Sequence, residues 1–132
     1  MSKHRKDADY IRDIQDAIIR IADYIKGFTY DDFLADGKTK DAVVHNIEIV
    51  GEATKNLGNR IRNKYQQVPW KSMAGMRDRL THGYFDVNYE IVWNIVKNEL
   101  TILYNQIIEI LAKEKLDSRL RRNDKGSRLI YA

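Results

Sequence analysis

The chain has 132 residues, 43% of them hydrophobic and 32% charged, with a single proline and no cysteine. That length supports one domain with a real core, and the balance of apolar and charged residues excludes a disordered chain. Without cysteine, disulfides and thiolate metal sites are excluded, which fits a reducing compartment.

No uncharged apolar run approaches the roughly 20 residues a bilayer span needs. The basic start, Met1–Lys6, is not followed by an apolar signal region. A soluble, cytoplasmic protein without a membrane partner is expected. The net charge is +4, and it sits at the ends. Lys3, Arg5 and Lys6 open the chain, while Arg119, Arg121, Arg122, Lys125 and Arg128 outnumber Asp117 and Asp124 at its close. This leaves about −2 for residues 7–116 by side-chain count. The body is therefore not basic in bulk, and any nucleic acid must be met by local arginines and the ends.

In chain order, apolar residues recur at Tyr10, Ile11, Ile14, Ala17, Ile18, Ile21, Ala22 and Ile25. Steps of three and four predict a helix with one buried stripe, stopped at Gly27. Thr29 reads as the cap of a short helix with Asp31 and Asp32 in its first turn, ending near Gly37. Thr39 is the expected cap of the next helix, which buries Ala42, Val43, Ile47, Val50, Ala53 and Leu57; Gly58 weakens it, and Ile61 and Tyr65 suggest a turn or two more. Pro69 suits a first helical position, opening a helix with Trp70, Met73, Met76 and Leu80 that ends at Gly83. Asn88 is the expected cap of the last and longest helix, which runs through Ile91, Ile95, Leu103, Ile107 and Leu111 and fades after Ala112. Its apolar band is wide, and Val92, Ile95 and positions 102–103 are candidates for contact with a second subunit.

No stretch alternates with period two for long, so the expected fold is all-α: an up-and-down bundle of about five helices. The expected division is a helical domain over 1–116 and a basic tail over 117–132, which is flexible or ordered only by a partner.

Chemistry concentrates in Met76-Arg77-Asp78-Arg79-Leu80-Thr81-His82-Gly83-Tyr84-Phe85. RNA can be cut without a metal if a base takes the 2′-hydroxyl proton, a cation offsets charge on the phosphate and an acid protonates the leaving 5′-oxygen. Histidine titrates near neutrality and suits proton transfer; the arginine fork matches two phosphate oxygens. The three histidines, His4, His45 and His82, are far apart and lack ligand spacing for a metal. On an unbroken helix Arg77 and His82 would point about 140° apart. Either the helix ends before His82, or a second subunit completes the set. On the same helix Asp78 would lie one turn from His82 and could orient its imidazole. The plainer reading makes His82 a helix cap and pairs Arg77 with Glu52 or Asp78. Trp70 and Trp93 read as core anchors.

The spacing Arg77-x4-His82-x-Tyr84 resembles the signature of the HEPN ribonucleases, in particular the HepT-like toxins of toxin–antitoxin pairs. Ile49-Val50-Gly51-Glu52-Ala53-Thr54-Lys55-Asn56-Leu57 and Val68-Pro69-Trp70 precede it in that family's order, and the similarity covers about Tyr10 to Leu116. The resemblance implies a metal-independent endoribonuclease without a cofactor, with Arg77 and His82 catalytic. Glu52 and Asn56, in the similar upstream helix, would line the cleft in support, with a solvated helix face the competing reading; Asp78 supports by its spacing to His82, and Arg79 reads as a surface or substrate-binding charge. It further implies a homodimer with a composite cleft, open to membership of a larger hetero-oligomer, and silencing by a nucleotidyltransferase antitoxin that attaches AMP to Tyr84. The plainer reading of Tyr84 is a buried aromatic beside Phe85. The rival function is a non-catalytic helical module that binds and regulates a nucleotidyltransferase or nucleotide.

Overall fold

The computed structural model describes residues 5–82 and 86–122, with His82 and 116–122 described by backbone alone. Helices dominate. α1 spans Asp7–Tyr24, α2 Tyr30–Ala35, α3 Gly37–Lys55, α4 Asn59–Lys64, α5 Trp70–Ala74 and α6 Met76–Leu80. A two-residue strand β1, Thr81–His82, pairs antiparallel with β2, Asp86–Val87. α7, Tyr89–Asn94, then passes through a π-helical turn, Ile95–Glu99, into α8, Leu100–Arg122. The all-α expectation holds, with the small hairpin as its one departure among the described residues.

Long amphipathic helices make the frame. α1 buries Ile11, Ile14, Ala17, Ile18 and Ile21 and packs chiefly on α3, and also on α8. α3 answers with Val43, Ile47 and Val50, and α8 with Leu103, Ile107 and Ile110. Each such side chain contributes roughly 1.5–3 kcal/mol when fully removed from water, so this frame carries the fold. Val92 and Ile95 are 0% exposed and Leu103 is 3% exposed, whereas Ile102 is 60% exposed. The contact with a second subunit expected at Val92, Ile95 and Leu103 is thereby corrected, while Ile102 stays at the surface. Three of the four residues are spent on the chain's own core, which takes a wider band of this rod than one neighbour would.

The helix ends follow local chemistry. Thr29 and Asp32 form the reciprocal cap of α2: Asp32 N–H donates to Thr29 Oγ1 at 3.1 Å, and Thr29 N–H to the Asp32 carboxylate at 3.0 Å. Gly27, at φ +78°, takes the left-handed conformation just past α1. The cap of α3 is Asp36, whose carboxylate accepts from Thr39 N–H at 3.0 Å. Thr39 is thus the recipient rather than the cap, because a carboxylate three residues earlier reaches the free amide first. Gly37, expected to end α2, instead begins α3. Asn88 caps α7 as expected, accepting from Glu90 and Ile91. The last helix continues beyond Ala112 to Arg122.

Two carboxylates tie the α7–α8 rod to its neighbours. Glu114 accepts from Arg60 at 2.8 Å, Lys64 at 3.1 Å and the Tyr65 hydroxyl at 2.6 Å, fastening α4 to α8. Burial pushes the Glu114 carboxyl up, but the bonds from Tyr65, Arg60 and Lys64 together draw it down to about 2. Burial and the same carboxylate push the Tyr65 hydroxyl up to about 12. The second carboxylate, Glu99, reaches the motif helix. No helix among the described residues is long and apolar enough to cross a membrane.

Candidate functional site

The motif lies on an arm made of α5, α6 and the hairpin. α6 has only five residues, too short to be stable in isolation, so its position comes from what surrounds it. Met76 and Leu80 are each 1% exposed and enter the core. α3 packs against both α5 and α6, and the point of closest approach is Gly51. A Cβ at Gly51 would stand 3.4 Å from Met73 O, 3.6 Å from Ala74 O and 3.7 Å from Arg77 N. The backbone of the motif therefore rides directly on α3, a Cβ at Gly51 being enough to bring the two into van der Waals contact. Trp70 is buried, and its indole N–H donates to Tyr65 O at 3.0 Å; it anchors the start of the arm, as expected. Trp93 is half-buried against Phe33, ring centroids 5.1 Å apart.

Arg79 is the third constraint. Its guanidinium forks onto Glu99, Nη1 to Oε1 at 3.0 Å and Nη2 to Oε2 at 2.6 Å, and Nη1 also donates to Ser72 Oγ at 3.0 Å. The hydrogen bond from Arg79 to Glu99 raises the Arg79 pKa, with burial opposing. A bidentate pair of this kind fixes orientation as well as distance. Glu99 closes the π-turn, where one turn of the rod is widened. It is the functional neighbour that sequence reasoning missed, since nothing in helical spacing links residue 79 to residue 99.

Arg77 emerges on the other side of α6. It is exposed, and no described residue binds its guanidinium. The plainer pairing with Glu52 or Asp78 is not formed: both side chains lie at the surface, and neither makes an ion pair among the described residues. Asn56 is exposed, and its side-chain amide donates to Glu52 O at 2.9 Å, closing the end of α3 rather than reaching the arm.

After Leu80 the chain leaves the helix. Thr81 is extended, at φ −98° and ψ 149°. Thr81 pairs with Val87 and His82 with Asp86, and Asn88 N–H donates to Leu80 O at 2.8 Å. Of the two alternatives left open by spacing, the first is realised: the helix ends before His82, three residues earlier than Gly83. The 140° separation between Arg77 and His82 therefore does not apply. Nor does the one-turn alignment of Asp78 beneath His82, because positions 78 and 82 do not share a helix. The cause is the extended Thr81 and the hairpin, which draws its amides and carbonyls away from the helical ladder. The His82 side chain, Gly83, Tyr84 and Phe85 lie outside the described residues, as does the tail from residue 123.

One signal in the sequence is hidden by counting charge over the whole body. Between Ala53 and Arg77 stand Lys55, Arg60, Arg62, Lys64, Lys71 and Arg77, with no carboxylate among them. These residues occupy the end of α3, α4 and the start of α5, and lead straight to the motif.

Fold and site together define a small helical protein that displays, on a short, externally braced arm, an arginine left unpaired among the described residues. The chain belongs to the HepT-like ribonuclease family, whose profile, Ribonuclease HepT-like, matches residues 14–110. It is 46% identical over 102 residues to a Methanocaldococcus jannaschii protein named "Putative RNase", covering 77% of this chain and 84% of that one. A Caldanaerobacter subterraneus protein, also named "Putative RNase", is 48% identical over 69% of this chain and 81% of its own. The "Probable ribonuclease HepT" of Thermococcus cleftensis is 40% identical over 75% of this chain and 90% of its own. No solved structure gives a significant match.

Proposed function

We propose that the protein is a metal-independent endoribonuclease, the toxin of a toxin–antitoxin pair. Arg77 stabilises the charge that builds on the scissile phosphate, and His82 transfers the protons. The observation that carries this reading is the state of Arg77: an exposed guanidinium on a helix whose backbone is seated against α3, left without a protein partner among the described residues, inside the family match. An arginine with a structural role alone would be consumed by a carboxylate, as Arg79 is by Glu99.

The chemistry is an attack of the 2′-oxygen on phosphorus, with expulsion of the 5′-oxygen. The 2′-hydroxyl proton passes to a base, and the leaving oxygen takes a proton from an acid; the products are a 2′,3′-cyclic phosphate and a 5′-hydroxyl. His82 fits these proton transfers at neutral pH. In a homodimer, two copies of the arm could line one cleft, the second copy supplying whichever group the first lacks. Glu52 and Asp78, both exposed, would be the polar supports of such a cleft, and Arg79 braces it, while Asn56 serves the end of α3. Addition of AMP to Tyr84 by a nucleotidyltransferase antitoxin would place phosphate charge and a nucleotide's bulk two residues from His82 and close the path to RNA.

The purified protein is expected to cut RNA in the presence of EDTA and to leave the cyclic phosphate, read by end-group analysis. His82→Ala removes the cleavage while circular dichroism stays helical; cleavage that survives the substitution refutes the assignment. Mass spectrometry of protein co-expressed with a neighbouring nucleotidyltransferase reads the regulation, through AMP on Tyr84.

A further inference from the structure

The cations between Ala53 and Arg77 are not equivalent. Arg60 and Lys64 are drawn to Glu114 on α8. Arg62 and Lys71 are different: they share one open groove between α4 and α5 with Gln66 and Ser72, floored by Val68 and Trp70. Arg62 is pinned there by a single bond, Nη2 to Thr54 O at 2.8 Å. Its Nε–H is buried, with no hydrogen-bond partner among the described residues. The Arg62 guanidinium lines the groove, and no carboxylate pairs with it among the described residues. Lys71 is exposed.

The groove is close to the arm. Thr54, which holds Arg62, lies three residues along α3 from Gly51, where a Cβ would stand 3.7 Å from Arg77 N; that is about 4.5 Å of helix axis. Lys55, exposed on the same turn as Thr54, adds a further cation. Three carboxylates of the surrounding elements are engaged elsewhere, Glu99 by Arg79, Glu114 by Arg60 and Lys64, and Asp7 by Gly58 N–H, while Glu52 stands exposed on the turn before Lys55. On a body that is acidic in sum, the groove thus presents a face whose two cations, Arg62 and Lys71, are paired with no carboxylate among the described residues.

We propose that this face, with Arg62 and Lys71 as its principal contacts, is where a strand of RNA is held by its phosphates on the way to Arg77. The inference rests on the ribonuclease reading and adds the track by which substrate reaches the site. Phosphate oxygens supply the negative charge that the Arg62 guanidinium is not given by any described carboxylate, and Lys71 adds a second cation in the same groove. Contacts of this kind position the strand without reading its bases, so they govern how tightly RNA is held rather than how fast it is cut.

The test uses the full chain and a short fluorescent RNA made uncleavable by 2′-O-methyl groups, with Lys71→Glu and Lys71→Ala as exposed substitutions that leave the core intact. Lys71→Glu is expected to weaken binding several-fold. The slope of log affinity against log salt should become shallower by about 0.7 for each phosphate of the single strand that is no longer neutralised. With cleavable RNA, KM rises and kcat stays, while Lys26→Ala, just past the far end of α1, changes neither. Unchanged affinity and salt slope after Lys71→Glu overturn the inference, and would be the result if the face served an acidic protein instead. A wild-type chain that cuts no RNA sinks the ribonuclease reading; one that cuts RNA with the same KM after Lys71→Glu sinks this proposal alone.

Discussion

α1 and α3 run for 18 and 19 residues, whereas α5 and α6 have five each. The long pair is held from within, by rows of isoleucine and valine that meet over many turns. The short pair is held from outside: by Gly51 against its backbone, by Glu99 through Arg79, and by the hairpin closed at Leu80 and Asn88. The difference explains how one chain keeps a stable core and a presented arginine at once. An element that must expose a charge cannot bury all its faces, so its direction is set by a few cross-links instead of by area.

If that division is right, the two regions fail in different ways. The largest effect belongs to the frame. Ile47→Ala, at a site with 0% exposure, is expected to cost about 2–5 kcal/mol in denaturant unfolding; a deficit below about 1 kcal/mol would mean the frame is not where stability resides. Arg77→Ala, by contrast, is expected to leave the melting temperature in place and lower kcat by about 10²–10³. Should Arg77→Ala unfold the chain, the arm is part of the frame and the contrast collapses.

The two carboxylates sharpen the comparison further. Glu114 belongs to the frame, with a side chain 19% exposed. Its folded pKa of about 2 lies below its ordinary value of 4.5. Its contribution is therefore full above pH 4.5 and fades as pH falls toward 2. Discounted for the exposure of Arg60 and Lys64, it is of order 1–2 kcal/mol. Unfolding of wild type and Glu114→Gln should differ by that much at neutral pH and converge as the solution is acidified toward pH 2; a gap independent of pH would count against the assignment. Glu99 belongs to the arm. Its pair with Arg79 is about one-third exposed on both sides, so Glu99→Gln should cost under about 1 kcal/mol of stability. It should nevertheless lower RNA cleavage several-fold, by loosening α6, and Asp in place of Glu should restore less than half of the activity because the fork no longer reaches. Equal activity in Glu99→Gln would show that Met76, Leu80 and Gly51 orient the arm without help.

Much of the molecule is legible in its sequence. The repeats of three and four through Ile11–Ile25 and Val43–Leu57, the caps at Thr29 and Asn88, and the anchoring of Trp70 all follow from local rules, because each depends on residues within a turn or so of one another. The motif is legible in the same way, as a run of chemically apt side chains. The acid-free stretch before it is equally present in the sequence but is hidden by any charge count taken over the whole body.

Other features needed the folded chain. Val92, Ile95 and Leu103 read as a surplus apolar face, and only the packing around that rod shows them filled from the same chain. The end of α6 at Leu80 depends on Thr81 and Val87 pairing, and the fate of Arg79 on a glutamate twenty residues later. Sequence by itself determined where the long helices lie and which side chains are chemically apt, since those are matters of local spacing and side-chain type. Tertiary structure decided which charges are neutralised and which stay available, since that depends on distances between residues that no period in the sequence encodes.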